Sequence, residues 1–181
     1  MSSPSSAPTS EQDQVTSALQ DILMAENAAV FGYSVIGVHL GTAEQIERAR
    51  SSQAAHRVAR DRVMAALVAR GSVPAPPQPS YQPPERIDSA LSAQRWAVAL
   101  EEQCALAYRY LLVSASGAPA ADAPNAGPTT NSSSAAPDGA NSELNTLRSQ
   151  GLQGLTSSAG EAVFWRRFTT PATPTVAFPG T

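Results

Sequence analysis

The chain has 181 residues, a formal net charge of -3 and a single Cys, room for one domain and little more. Ala dominates, aromatics reach only 6% and charged residues 15%; strands favour β-branched and aromatic side chains, so this composition excludes a β-sandwich and points to close-packed helices. The acidic balance, with Arg as the only strong cation and no Lys, excludes the basic face of a nucleic-acid binder, and one Cys excludes a disulfide framework or a Cys-based zinc site within the chain.

Residues 1–10 (MSSPSSAPTS) have neither a basic nor an apolar segment, so they read as a disordered tail and not as a secretory signal. In residues 11–40, Val15, Leu19, Ile22, Glu26, Ala29, Tyr33, Ile36 and Leu40 alternate at spacings of four and three. That stripe predicts a helix packed in a bundle. Gly41 stops it, and Thr42 with Gln45 three residues on predicts a capping box. The next helix, 43–70, carries Ile46, Ala49, Gln53, His56, Arg60, Val63 and Leu67 on the same spacing, and so short a turn makes the two antiparallel.

Gly71 ends this segment, and residues 72–84 are Pro-rich. In polyproline II they would span roughly 40 Å, about the length of a 27-residue helix, which permits an up-down-down-up bundle. A third helix is predicted over 88–113, with Leu91, Gln94, Val98, Glu101, Ala105, Tyr108 and Leu112 on its stripe. Residues 114–140 have no large apolar side chain and read as a disordered insertion. A fourth helix is expected over 142–168, weakened by Gly151, Gly154 and Gly160, and 169–181 is a Pro/Thr-rich tail. No apolar run reaches the ~18 residues of a membrane span, so a cytoplasmic protein without a membrane partner is expected.

The informative residues are polar ones in core positions. Glu26 and His56 lie equally far on either side of Gly41, so in an antiparallel hairpin they face each other; Glu101 lies near mid-height of the third helix. A buried carboxylate must be paired, protonated or metal-bound. Glu26, His56 and Glu101 are therefore the candidate cluster, with Gln53, Glu102 and Glu161 as further candidates. Cys104, Tyr33, Tyr108, Trp96 and Trp165 read as core or boundary residues, His39 as exposed, and Glu161 as an ion-pair partner.

The stretches ENAAVFGY, AAHRVARD and LEEQCALAY, with the Pro-rich link ending near Tyr81, resemble the actinobacterial ferritin-like family known only as a domain of unknown function. The resemblance implies an all-α, ferritin-like four-helix bundle. A di-iron centre of that superfamily takes single Glu ligands from two helices and a Glu-x-x-His pair from each of the others. Here Glu26 and Glu101 (or Glu102) match single Glu positions and His56 matches a His. Gln53 stands where Glu is required, and Phe164 follows Glu161 where His is required. The ligand set is degenerate.

Two functions follow. In one, the chain is a non-catalytic structural or interaction module, taking a protein partner or a second copy, with no cofactor; Glu26 hydrogen-bonds His56, and Arg57 or Arg60 neutralises Glu101. In the other, a single Fe, Mn or Zn ion sits among Glu26, His56 and Glu101 and supports oxidase or storage-type chemistry.

Overall fold

The computed structural model describes residues 10–116 and 138–169, which form four α-helices and no strand. These are α1 (Glu11–His39), α2 (Ala43–Ala69), α3 (Ala90–Ser114) and α4 (Asp138–Thr169). Most of the insertion expected at 114–140, and most of both tails, lie outside the described residues. At its described edges that insertion is helical: Ser114 closes α3, and α4 begins at Asp138, ahead of the expected residue 142.

The helix ends follow from local chemistry. Ser10, read from sequence as tail, is the N-cap of α1. Its hydroxyl accepts from the Asp13 N–H while the Asp13 carboxylate accepts from the Ser10 N–H, a capping box that the S-x-x-D spacing encodes. Thr42 caps α2 by accepting from the Gln45 N–H, but Gln45 does not complete the expected box. Its side-chain oxygen accepts from Gln94 Nε2 on α3 instead. Gly71 adopts a φ of 71°, and the bonds Ser72 N–H to Leu67 O and Gly71 N–H to Val68 O complete a Schellman stop that a Cβ would strain.

Every stripe residue of α1 is buried, from Val15 to Leu40. On α3 the stripe is broader than the spacing suggested: Leu91 is exposed and Leu112 half-buried, while Ala93, Ala97, Leu100, Cys104 and Leu111 are buried. Both helices pack on two neighbours, α3 on α1 and α4 and α1 on α2 and α3, so each buries more than one seam; on α1 Ala18, Leu23, Ala25 and Ala28 are buried beside the stripe. His39, expected to be exposed, is half-buried at the last turn of α1. By length and composition α1 could cross a membrane, contrary to the sequence reading, but 56% of its most apolar window is buried in the protein. It is a core helix with buried Glu26 and Asn27.

Cross-helix contacts set the heights. Glu26 meets both His56 and Tyr108, Tyr33 meets Glu101, and Gln53 reaches the Val30 carbonyl. The α4 backbone at Gly154 lies so close to the Tyr108 ring that a Cβ would come within 2.4 Å of it. The Pro-rich link touches α1 at two levels: Gln20 bonds to Ser72, Val73 and Ala75, and the Phe31 and Tyr81 rings meet at 5.6 Å. Across the α2–α4 side, ion pairs Arg48–Glu161 and Arg70–Glu143 bridge the two ends.

Candidate functional site

His56 projects from α2 between α1 and α3. Its Nδ1 lies 2.7 Å from Glu26 Oε2 and its Nε2 3.1 Å from Glu101 Oε1. With both carboxylates ionised they can only accept, and both ring nitrogens then donate as an imidazolium. Burial alone would lower its pKa, but hydrogen bonds with Cys104, Glu101 and Glu26 hold it well above the usual histidine value.

Each carboxylate takes a second donor. Tyr108 donates to Glu26 Oε1 at 2.7 Å and Tyr33 to Glu101 Oε1 at 2.5 Å. Trp165 Nε1 in turn donates to the Tyr33 oxygen at 2.9 Å. The Tyr33 ring stacks on His56 with centroids 5.5 Å apart. Burial, then the charge of the adjoining carboxylate, pushes both phenol pKa values far up, so these tyrosines act only as donors to the carboxylates. The result is a continuous chain, Trp165 to Tyr33 to Glu101, then through His56 to Glu26 and on to Tyr108, with all six residues buried.

Of the sequence candidates, Glu26, His56 and Glu101 come together, as their heights implied. Gln53 turns away, donating to the Val30 carbonyl at 3.0 Å. Glu102 is on the outside, paired with Arg166. Glu161 is held by Arg48 at 2.9 and 2.5 Å and by Ser52 at 3.0 Å, the ion-pair role expected of it. The expected neutralisation of Glu101 by Arg57 or Arg60 does not occur: Arg60 pairs with Asp61, and His56 supplies the charge.

Four members of the site read as mere packing in the sequence: Tyr33, Tyr108, Trp165 and Cys104. The tyrosines did leave a signal. Each follows a cluster Glu by one heptad, Glu26–Tyr33 on α1 and Glu101–Tyr108 on α3. The pairing is crosswise: each Glu meets the other helix's Tyr. Cys104 follows Glu101 by three residues, hence on the same face. Ligand atoms of Glu26, His56 and Cys104 lie within 4.8 Å of one another. Burial, then the Glu26 carboxylate, pushes the Cys104 thiol up to about 12, so it keeps its proton.

The donor set does not fit the di-metal centre that a ferritin-like bundle implies. Both nitrogens of the lone cluster histidine already donate to carboxylates, the sulfur is a thiol, and Gln53 and Glu161 are bonded elsewhere. Metal ligands must be deprotonated, and here the imidazolium fills the cation's place. One acceptor is left over: Glu101 Oε2 is buried with no hydrogen-bond partner among the described residues.

Comparison with known proteins places this cluster in a family. The family model for a domain of unknown function, DUF4439, matches residues 18–127. The chain belongs to DUF4439. The match takes in Glu26, His56, Glu101, Cys104 and Tyr108 and leaves out Trp165 and Glu161. Over 94% of this chain and 100% of the other, the fold is similar to that of a conserved hypothetical protein, rv2844, from Mycobacterium tuberculosis, at 28% identity and a TM-score of 0.69. No curated protein matches the chain. The DUF4439 assignment thus attaches a family to the helices and leaves their chemistry to be argued from the site.

Proposed function

We propose that this DUF4439 chain is a ferritin-like four-helix bundle that works as a non-catalytic structural or interaction module in the cytoplasm, its core closed by a proton-bridged cluster where relatives of the superfamily hold metal. The observation that carries the reading is His56 donating to a carboxylate from each ring nitrogen. An up-down-down-up course is supported by the pairings Glu26–Tyr108 and Tyr33–Glu101, which run in opposite senses along α1 and α3, and by the two levels at which the Pro-rich link touches α1. The likeness to a mycobacterial protein supports an actinobacterial grouping. The acidic chain suits a protein partner or a second copy better than nucleic acid.

A double-mutant cycle tests it. His56→Leu alone strands two buried carboxylates and should cost about 3–5 kcal/mol, while Glu26→Met takes an acceptor from His56 and Tyr108 and should cost about 1–3 kcal/mol. The double variant should fall short of the sum by at least ~1 kcal/mol, because Glu26 is no longer there to be stranded by the loss of His56. Additive losses would refute the cluster.

The second reading, a single Fe, Mn or Zn ion at Glu26, His56 and Glu101, draws on the closeness of Glu26, His56 and Cys104. A metal there must displace protons from His56 and Cys104. The first reading expects no melting shift with Fe(II), Mn(II) or Zn(II). A stoichiometric metal in purified protein, lost in His56→Leu, would establish the second.

A further inference from the structure

The α2–α4 side of the bundle is not closed by packing. α2 packs chiefly on α1 and α4 chiefly on α3, and an open trench runs between the ion pairs Arg48–Glu161 and Arg70–Glu143. Three cavities of about 90, 290 and 600 Å³ follow one another along it. The first two share Ala55, Ala59 and Tyr108, and the last two share Arg62 and Gln150. Its chemistry changes along this line. At the Arg48 end it is bordered by Glu26, Glu101 and Glu161. In the middle stretch Ala55, Val58, Ala59 and Val63 form an apolar α2 wall, where Val58 is left 51% exposed. Beside that wall stand Arg62 and, from α4, the amides of Gln150 and Gln153.

Arg62 sets the charge of what fits. Arg48 and Arg70, at the two ends, are each taken by a glutamate, whereas Arg62 has no ion pair among the described residues. Its charge reaches the Tyr108 phenol on the trench floor, where it opposes the rise that burial and Glu26 impose. A guanidinium fork matches a carboxylate with two parallel N–H donors, and the two amides add donors beside it. One cation suits one negative charge. The acidic end repels an anion, so a carboxylate settles at Arg62 with its stem pointing toward Ala55. Those two residues are seven apart, about 10 Å along the helix, which limits the stem to a short chain. We infer that the α2–α4 trench binds a short-chain aliphatic monocarboxylate, its head on Arg62, Gln150 and Gln153 and its stem along Val58, Ala59 and Val63. Covering Val58 removes apolar surface from water and adds to the affinity. The site goes beyond the structural reading of the Glu26–His56–Glu101 cluster and does not depend on it.

The test is a nuclear magnetic resonance titration of the full chain with sodium hexanoate, following backbone amide shifts, with sodium acetate and 1-hexanol as comparators at matched ionic strength. Saturable shifts are expected at Val58, Ala59, Arg62, Gln150 and Gln153. Acetate, which lacks the stem, and hexanol, which lacks the charge, should bind at least tenfold more weakly. Arg62→Gln, at an exposed position, should weaken hexanoate at least tenfold with unchanged helix content. Val58→Glu, also exposed, should do the same by placing a like charge in the path of the stem. Hexanol or acetate binding as tightly as hexanoate, full binding by either variant, shifts confined to other faces of the bundle, or no saturable shift would each overturn the proposal. Additive mutations at Glu26 and His56 would leave it standing while sinking the structural reading.

Discussion

Raising the pH should loosen the bundle at His56 before any other member of the cluster titrates. The His56 pKa is raised in the folded protein, whereas in the unfolded chain the ring loses its proton near pH ~6.5. Below that value both states hold the proton and its stabilisation is fully present. Above it the folded state binds one proton more than the unfolded, so unfolding free energy falls by about 1.4 kcal/mol per pH unit until the folded pKa is reached. The other raised groups act later: Cys104 from its ordinary value of 9.0 and Tyr33 and Tyr108 from 10.0. Between pH 7 and pH 8.5 the His56 contribution should therefore stand apart from theirs. Urea unfolding followed by circular dichroism, on the native chain and on the double variant Glu26→Gln/His56→Gln, would isolate it, since every other group that ordinarily titrates in this interval is common to both. The native protein should lose more stability than the variant as the pH rises, with a slope of up to about 1.4 kcal/mol per pH unit. Parallel pH profiles would show that His56 is neutral in the fold, and the proton-bridged cluster would fall.

Two further outcomes follow from packing and hydrogen bonding. Gly154→Ala drives a Cβ to 2.4 Å from the Tyr108 ring and should cost about 1–3 kcal/mol by overpacking, whereas Gly160→Ala meets nothing within 4 Å and should stabilise α4 by up to ~1 kcal/mol; equal melting shifts would contradict the α3–α4 contact. Tyr33→Phe leaves the buried Trp165 N–H without its acceptor and takes a donor from Glu101, so urea unfolding should register a loss of about 1–3 kcal/mol, and a loss near zero would break the chain of bonds at that point.

The helices were legible because an i, i+3, i+4 stripe is a direct image of one buried face, and α1 shows it in full. A single stripe understates a helix that serves two neighbours, as α1 and α3 both do. On α3, contact with both α1 and α4 buries Ala93, Leu100 and Cys104 and leaves Leu91 outside, and a one-seam template has no means of showing that. At the site, Glu26, His56 and Glu101 could be found since a charge in an apolar stripe breaks the pattern. Trp165 could not, because an aromatic ring continues the pattern while its polar tip does the bonding; Tyr33 and Tyr108 left only their heptad spacing from Glu26 and Glu101 as a sign. Gln45 illustrates the same limit at a helix end: its spacing from Thr42 fits a local cap, and only tertiary packing brings Gln94 near enough to take its side-chain oxygen.

The crosswise Glu–Tyr pairing also bears on how the helices choose their alignment. Apolar stripes repeat every heptad, so α3, reached only after the connection of residues 70–89, could slide along α1 by seven residues, about 10 Å, and still bury hydrocarbon against hydrocarbon. The polar groups forbid it. A slip in one direction would lay Glu101 directly against Glu26, two carboxylates crowded on one imidazolium and both without their tyrosines; a slip in the other would lay Ala115 there and carry Glu101 away from both His56 and Tyr33. Either error leaves a buried carboxylate short of donors at a cost of several kcal/mol. The cluster thereby acts as a detent, selecting one register among several that the oily surfaces alone would accept.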